Sequence, residues 1–522
     1  TVGFALSAAL AGASRVVSLW VVVRVTAAIA SDLSIEAYRR TLHQPYETHV
    51  QRNSGEVMSN VLAKVDAVSH SVVRPLQALC GSALTIVFIA VALIVIEPAT
   101  SLIAMIGLGC IYTLIGRMAK RKLDHNSLII SETRASTFRN VQEGLGGIRD
   151  VLLDGSQSHF VHLFRESDRN MRRANATNQI ISSTPRLVIE VFALILISGL
   201  AYWFNQRTGG FAGSLPVLGA LAFGGQRLLP ALQQGFFAWS MMMGSRAMVV
   251  EAIEFLEQPM DDADSIGYKP LGLSHEIRLS GVSFRYQGTS VDVLQDVNLV
   301  FRQGQRIGIV GATGSGKSTL LDLIMGLLEP STGTLEVDGV TVRGAERQRW
   351  MRTIAHVPQH VFLTDESFKD NIVFGSIDSH IEEERVYAAA ARACISDFIE
   401  DRPNGYREVV GERGARLSGG QRQRIGIARA LYRQPDVLIL DEATSALDMA
   451  TEREVMAGIA ELSHDVTIFQ VAHRLSTVEG CDMIVEMEAG RVVATGTFSS
   501  LLQSSPSFRQ MVAIVGKDGE DD

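Results

Sequence analysis

Cysteine is scarce in this 522-residue chain, and its four copies, Cys80, Cys110, Cys394 and Cys481, have neither metal-ligand nor redox spacing. A cysteine-built metal or redox centre is thereby excluded, and the four are read as packing residues. Internal repeats are missing too, so a device that needs two copies of a motif needs a second chain. The net charge of −8 says little about partners, because the acidic excess belongs mostly to the C-terminal half. Charge is also missing locally. Only 20% of residues are charged, and Pro75–Ile96, Ala99–Gly116, Val191–Gln206, Thr208–Gln226 and Leu228–Ser245 contain no charged residue at all. Several of these stretches approach the roughly 20 residues that span a bilayer.

What is present concentrates on phosphate. Residues 311–319 read Gly311-Ala312-Thr313-Gly314-Ser315-Gly316-Lys317-Ser318-Thr319. The glycines let successive backbone N–H groups turn toward phosphates, while Lys317 supplies a point charge and Ser318 a hydroxyl for magnesium. The apolar run 306–310 suits a buried strand, and the spacing predicts a helix over 318–328, which is the strand–loop–helix context the motif requires. A second apolar run, 437–440, follows Asp436 and ends in Asp441 and Glu442. Carboxylates at the C-terminal edge of a parallel sheet stand where ligands bind. Asp441 is expected to hold magnesium, and Glu442, on the opposite side of the pleat, to polarise the attacking water. Leu417-Ser418-Gly419-Gly420-Gln421 opens a helix expected to run to Leu431, with Ser418 as N-cap and its N-terminus as an anion site.

With these motifs in this order, residues 277–512 resemble the nucleotide-binding domain of an ATP-binding-cassette protein. The resemblance implies ATP and Mg2+ as cofactors and extends the site. Tyr286 matches the aromatic that stacks on adenine, and Gln359, in Val357-Pro358-Gln359, the glutamine that reaches magnesium and senses the γ-phosphate. Asp448, in Ser445-Ala446-Leu447-Asp448, matches a loop crossing the dimer interface, and His473, in Ala472-His473-Arg474, the switch histidine on the γ-phosphate. The implied catalytic set is Glu442, His473 and Gln359, and the magnesium set Ser318, Gln359 and Asp441. The nucleotide set is Tyr286, residues 311–319, Ser418, Gly419, Gly420, Gln421 and Asp448. In the family, ATP is clasped between the lysine loop of one subunit and the serine-capped helix of another. Nothing in these motifs departs from a working pattern, so both sites of a symmetric dimer are expected to hydrolyse ATP. Gly411-Glu412-Arg413-Gly414 resembles a loop found mainly in exporters.

The implied fold class is an all-α polytopic transmembrane domain followed by an α/β P-loop nucleotide-binding domain with a helical subdomain. The expected domains are an exporter-type transmembrane domain over 1–256, a linker over 257–275, the cassette over 276–512 and a tail over 513–522. The linker is signalled by Pro259, the Asp261-Asp262-Ala263-Asp264 cluster and Gly267, and the acidic residues 517–522 are read as disordered. Phe4–Ala30 adds a pass, and Thr208–Gln226 joins Leu228–Ser245 as one helix with a turn at Gly209, Gly210 and Gly213, which makes five passes. A cytoplasmic cassette then puts residues 31–74 and 117–186 inside. The basic residues from Lys120 to Arg173 agree, against only Glu97 and Arg207 on the outer turns. An odd number of passes and a six-helix family pattern imply a further helix ahead of Thr1. A cleaved signal peptide ending at Ala28-Ile29-Ala30 fails on length and on Arg15 and Arg24. The turns at 43–57 and 146–155 are expected to pass motion to the cassettes. Arg15, Arg24, Arg74, Arg186 and Arg227 are expected to snorkel or to face protein or a water-filled cavity, where they could hold an anionic head group.

The expected protein is a half-transporter of the cytoplasmic (inner) membrane. It pairs with a second copy of itself, as a homodimer, or with a paralogous half-transporter, and moves an amphipathic solute through the lipid bilayer. Gln51–Glu56, Gly147–Val151 and Pro185–Glu190 are similar to the branch that contains lipid-linked oligosaccharide flippases and polysaccharide-export ATPases. The alternative substrates are lipids, peptides or multiple drugs. A soluble cassette ATPase acting on ribosomes or DNA is disfavoured by the apolar spans, and no nucleic acid partner is expected.

Overall fold

The computed structural model describes residues 2–52, 54–58, 65–96, 98–205, 210–258, 269–375, 382–460, 465–471 and 477–518. The chain separates into two compact units, Thr1–Gln44 with Gln51–Met260, and Pro45–Val50 with Asp261–Asp522. Residues 259–268, which carry the acidic linker cluster, lie outside the described residues, as do 206–209, 472–476 and 519–522.

The first unit is helical, the state in which an uncharged run satisfies all its backbone groups internally. Its long helices are Val2–Leu42, Arg74–Ile96, Pro98–Gly146, Gln157–Asn205 and Gly210–Gly244, followed by Arg246–Leu256. Among the described residues, Ala5–Leu42, Ser69–Ile96 and Thr100–Gly146 are long and apolar enough to cross a membrane. At about 1.5 Å per residue, the 49 residues of Pro98–Gly146 exceed a ~30 Å hydrocarbon core more than twofold, so the charged half of that helix extends beyond it. Gly210 and Gly213 are helical rather than part of a turn, since glycine in a first helical turn costs only propensity. A short helix, Ile148–Leu153, occupies the turn at 146–155, and another, Tyr46–Gln51, the turn at 43–57, where Pro45–Val50 belongs to the second unit.

Helices of this unit approach closely where side chains are small. A Cβ on Gly224 would stand 2.6 Å from Leu93, and one on Gly244 would stand 2.8 Å from Asn178 Nδ2. Polar ties cross between them: Asn126 Nδ2 donates to Asn178 Oδ1 at 2.8 Å, and Ser131 Oγ donates to Glu251 at 2.6 Å. Arg186 pairs with Glu190 on its own helix at 2.9 Å, while Arg24 and Arg227 lie over the rings of Trp20 and Phe223.

The second unit holds two sheets. Strands β1 (Glu276–Phe284), β2 (Leu294–Arg302), β4 (Thr332–Val337) and β5 (Val340–Thr341) form an antiparallel sheet in the order β2-β1-β4-β5. Strands β3 (Arg306–Gly311), β6 (Ile354–Val357), β7 (Val437–Asp441), β8 (Thr467–Val471), β9 (Met483–Glu488) and β10 (Arg491–Gly496) form the second sheet, ordered β10-β9-β3-β8-β7-β6. It is parallel except at β10. β3, β7 and β8 are buried along nearly their whole length, as continuous Val, Ile and Leu runs in a covered parallel sheet must be. A helical subdomain, with Phe368–Val373, Glu383–Arg392 and Gly419–Tyr432, packs Ile372, Ala390, Ile425 and Ile427 in one cluster with Val357, Leu438 and Ile468 of the parallel sheet. At the C-terminus, Phe508, Met511 and Val512 pack in a third cluster, and the helix Pro506–Asp518 continues into the tail that the acidic composition pointed to as disordered.

Candidate nucleotide-binding site

The parallel sheet brings Gly311, at the end of β3, and Asp441, at the end of β7, to one edge with only β8 between them. The loop that leaves β3 depends on glycine. Gly311 has φ 151, and a Cβ there would stand 2.2 Å from the carbonyl oxygen of Met487; Gly316 has φ 101 and would meet Leu294 at 2.8 Å. The helix that follows runs Lys317–Ile324, shorter than 318–328, because Gly326 in the left-handed region (φ 74) ends it.

Lys317 is buried and lies back along the loop, its Nζ donating to the carbonyls of Gly311 at 2.8 Å and Ala312 at 3.0 Å. Burial lowers its pKa, against Glu442 and Asp441, which raise it. Ser318 is exposed at the helix start, and Thr319, which is buried, lies 3.5 Å from the Tyr286 hydroxyl. Tyr286 packs edge-on to Phe284 at the end of β1. Ahead of it, Glu47 of the short helix Tyr46–Gln51, which belongs to this unit, accepts the backbone N–H of Gln287 at 2.6 Å.

Glu442 differs from the sequence expectation in its conformation. The strand ends at Asp441, so pleat alternation no longer applies, and Glu442 takes φ 51. Its carboxylate accepts a 2.5 Å hydrogen bond from Gln359 Nε2. Ser418 and Gln421 form a reciprocal capping box at the start of Gly419–Tyr432: Gln421 N–H donates to Ser418 Oγ at 3.2 Å and Ser418 N–H to Gln421 Oε1 at 2.8 Å. Gly419 and Gly420 abut Ala446, where a Cβ would stand 3.2 Å and 3.0 Å from its atoms. Asp448 caps the next helix, accepting from the N–H groups of Ala450 and Thr451 and from the Thr451 hydroxyl, which hold its carboxyl below the usual range. The sequence-predicted residues described thus stand at the ends of β1, β3, β6 and β7 and at the start of Gly419–Tyr432, which packs on the Ala446 loop that leads from Glu442 to Asp448. His473 lies outside the described residues.

Sequence reasoning missed two members of this region. Gln423, buried within the helix Gly419–Tyr432, accepts the N–H of Ala446 at 3.0 Å and donates to Ser445 at 3.1 Å, which ties the Ser418 helix to the loop holding Asp448. Nothing in the sequence sets it apart from the other glutamine of this helix. Asp322, one turn beyond Ser318, has its carboxyl pushed up to about 7, by burial first and by Asp441 second.

The loop suits a polyphosphate. Among the described residues Ser315 Oγ is buried without a hydrogen-bond partner, and the first-turn N–H groups of the helix have no intrahelical acceptor. No three His, Cys, Asp or Glu side chains cluster among the described residues, so a divalent cation here would rest on the oxygens of Ser318, Asp441 and Gln359 together with phosphate.

Asp322 gives a pH prediction for the nucleotide-free chain. Its folded pKa lies above the ordinary 3.8, so between about pH 4 and pH 7 the folded state holds a proton that the unfolded state has released. The associated stability is complete below that window and is lost as pH rises through it. Asp322→Asn should therefore gain in melting temperature relative to wild type on going from pH 5 to pH 8, roughly the window of the shift. Differential scanning fluorimetry checks this, and an offset constant with pH contradicts it.

A nucleotide cassette carried behind a helical membrane region defines a class, the membrane transporters driven by ATP. The ABC transporter family matches residues 294–445, and the ABC transporter transmembrane region matches residues 1–205. The chain is 30% identical to the beta-(1→2)glucan export ATP-binding/permease protein NdvA of Rhizobium meliloti, over 93% of this chain and 83% of that protein. It is 27% identical to the ATP-dependent lipid A-core flippase of Coxiella burnetii, over 96% of this chain and 84% of that protein. A solved bacterial Atm1-family ABC exporter with ATP bound has the same fold, with a TM-score of 0.83 at 23% identity over 94% of this chain and 85% of that one. The chain belongs to the ABC transporter family, as a half-transporter of exporter type whose ATPase is coupled to transport.

Proposed function

We propose that two copies of this chain form a homodimeric exporter that moves a lipid-linked oligosaccharide or similar amphipathic solute out of the cytoplasm across the inner membrane. Residues 1–256 form its transmembrane domain and residues 276–512 its cytoplasmic cassette. The observation that carries the reading is the convergence of the Gly311 loop, Lys317, Asp441 and the Gln359–Glu442 pair on one sheet edge, in a chain with a helical membrane region. Tyr286 stacks on the adenine, residues 311–319 cradle the phosphates, and Ser318, Asp441 and Gln359 hold Mg2+, which when bound neutralises phosphate charge. Glu442 orients and deprotonates the attacking water, with His473 on the γ-phosphate. Ser418, Gly419, Gly420, Gln421 and Asp448 serve the site of the partner subunit. The glucan-export and flippase relatives support a glycan-bearing solute.

Transport is tested in inside-out proteoliposomes with a fluorescent lipid-linked oligosaccharide. ATP-dependent loss of outer-leaflet label is expected, and none with Lys317→Ala; equal rates without ATP reject the function. Pairing is tested by mixing two inactive variants, Lys317→Ala and Ser418→Arg. Their mixed dimer contains one intact composite site, so ATPase should return to about a quarter of wild type under random exchange, and no recovery rejects the shared site.

A further inference from the structure

The chain passes between its two units after Gln44, before Gln51 and after Met260. Beside each of these crossings stands a side chain of one hydrogen-bonded cluster, and the whole cluster belongs to the first unit. Gln44 Nε2 donates to Gln258 Oε1 at 2.6 Å. Arg52 spreads its guanidinium over both amides, one terminal nitrogen donating to Gln44 Oε1 and the other to Gln258 Oε1, each at 2.8 Å. Arginine suits this place because its fork holds two donors at a fixed separation, which a lysine cannot do.

The cluster rests on a packed base. Just ahead of it in sequence, Arg40 pairs with Glu36 at 2.6 Å and donates to the carbonyl of Leu256, while Ala37 and Leu33 pack with Phe255 and Leu256. The ends of Val2–Leu42 and Arg246–Leu256 are thereby joined. Gln44 is buried and Arg52 half-buried, so solvent competes weakly for their bonds.

Between Gln44 and Gln51 the chain leaves for the second unit. There Glu47 accepts the N–H of Gln287 at 2.6 Å, and burial first, then Asp322, Tyr286 and Asp441, raise the pKa of Tyr46, so Pro45–Val50 stands beside the nucleotide edge. A segment hung from two flanks can move the first unit only if the flanks keep their separation. Flanks free to change φ and ψ act as a hinge and absorb the displacement. The bond from Arg52 to Gln44 closes this loop at its base, and the bonds to Gln258 join the base to the start of the linker.

We infer that Arg52 is a positioning residue for the coupling of ATP hydrolysis to transport: by holding Gln44 and Gln258 together it passes movement of Pro45–Val50 into the helices of the first unit. The inference rests on the reading of the turn at 43–57 as a route of motion, and names the side chain on which that route depends. Gln258 contributes through Oε1, which accepts from both Gln44 and Arg52. Glutamate keeps such an oxygen and leucine does not, so the two substitutions separate the bond from the bulk of the side chain.

The test is hydrogen exchange read by mass spectrometry on the full chain in phosphatidylcholine nanodiscs, with and without Mg-ATP and vanadate. In the wild type, trapping should change exchange in both units. Arg52→Ala should diminish the response of the first unit about tenfold, the scale of one charge-assisted hydrogen bond. Its second-unit response and ATP hydrolysis should stay within about threefold of wild type, because none of the clustered residues belongs to the nucleotide set. Gln258→Leu should reproduce the loss and Gln258→Glu should not. The double variant Arg52→Ala with Gln258→Leu should be no worse than either alone, as members of one network are. A first-unit response left intact by Arg52→Ala and Gln258→Leu overturns the inference, as does equal damage from Gln258→Glu and Gln258→Leu. A parallel fall of both units' responses and of hydrolysis also overturns it, since that is the mark of a general loss of structure. Should Arg52→Ala fail to fold, the two Gln258 variants, which leave Arg52 in place, carry the same comparison. A wild-type first unit that does not respond to trapping removes the route of motion and Arg52 with it, whereas a wild-type response that survives in the variants removes Arg52 alone.

Discussion

Glu442→Gln lowers steady-state ATP hydrolysis by about 10²- to 10⁴-fold, the contribution of a positioned general base, while leaving ATP affinity nearly unchanged. The side chain follows a strand whose other residues are buried, and the left-handed backbone at φ 51 turns it out of the pleat at the ligand edge of the sheet. The 2.5 Å bond from Gln359 holds its carboxylate in place. Glutamine keeps the size and the reach of the side chain but cannot take a proton from water, so turnover falls and binding does not. In the proposed dimer, hydrolysis releases the paired cassettes, so the variant should also accumulate as an ATP-bound dimer. Phosphate release, nucleotide binding and gel filtration in ATP check the three parts. Turnover within tenfold of wild type would remove Glu442 from the role of base.

The parts of this site that phosphate dictates locally were legible in the sequence. A glycine loop must be contiguous to present successive N–H groups, and a capping box must have its serine and glutamine three residues apart, so Gly311–Ser318 and Ser418–Gln421 can be read without a structure. Strands β3 and β7 were legible for a related reason, since a strand covered on both faces has to be an unbroken apolar run. Contacts over long sequence separations were not. Gln359 and Glu442 are 83 residues apart, and alternation along β7 could not foresee their bond because the strand stops one residue short of Glu442. Gln423 looks like any helical glutamine until Ala446 is placed beside it. In the membrane unit the uncharged runs located the helices, but a cavity assembled from several helices leaves no mark on any one of them.

Gly311→Ala should be among the most damaging single methyl groups in the cassette. At φ 151 the backbone is in a region that L side chains rarely adopt, and the added Cβ would stand 2.2 Å from the Met487 carbonyl oxygen and 2.7 Å from Ser315 Oγ. The Met487 carbonyl cannot yield easily, because β9 is paired with β3 at this position and with β10 on its other side. The loop must move instead, and with it the Gly311 and Ala312 carbonyls that hold Lys317. Strain of this kind costs about 3 kcal/mol or more, enough to lower the melting temperature of a domain of this size by roughly 6–12 °C. Displacement of Lys317 from its place beside the phosphates should weaken ATP binding at least about a hundredfold, the scale of losing a charge-assisted contact together with the loop geometry. Gly314→Ala is the control, since Gly314 also has a positive φ, 79, but its Cβ would meet nothing within 4 Å. It should therefore cost only the left-handed backbone penalty, about 1 kcal/mol. Fluorimetric melting and titration with a fluorescent ATP analogue rank the two variants. If Gly314→Ala proves the more harmful, the close approach of β3 to Met487 does not set the shape of the loop.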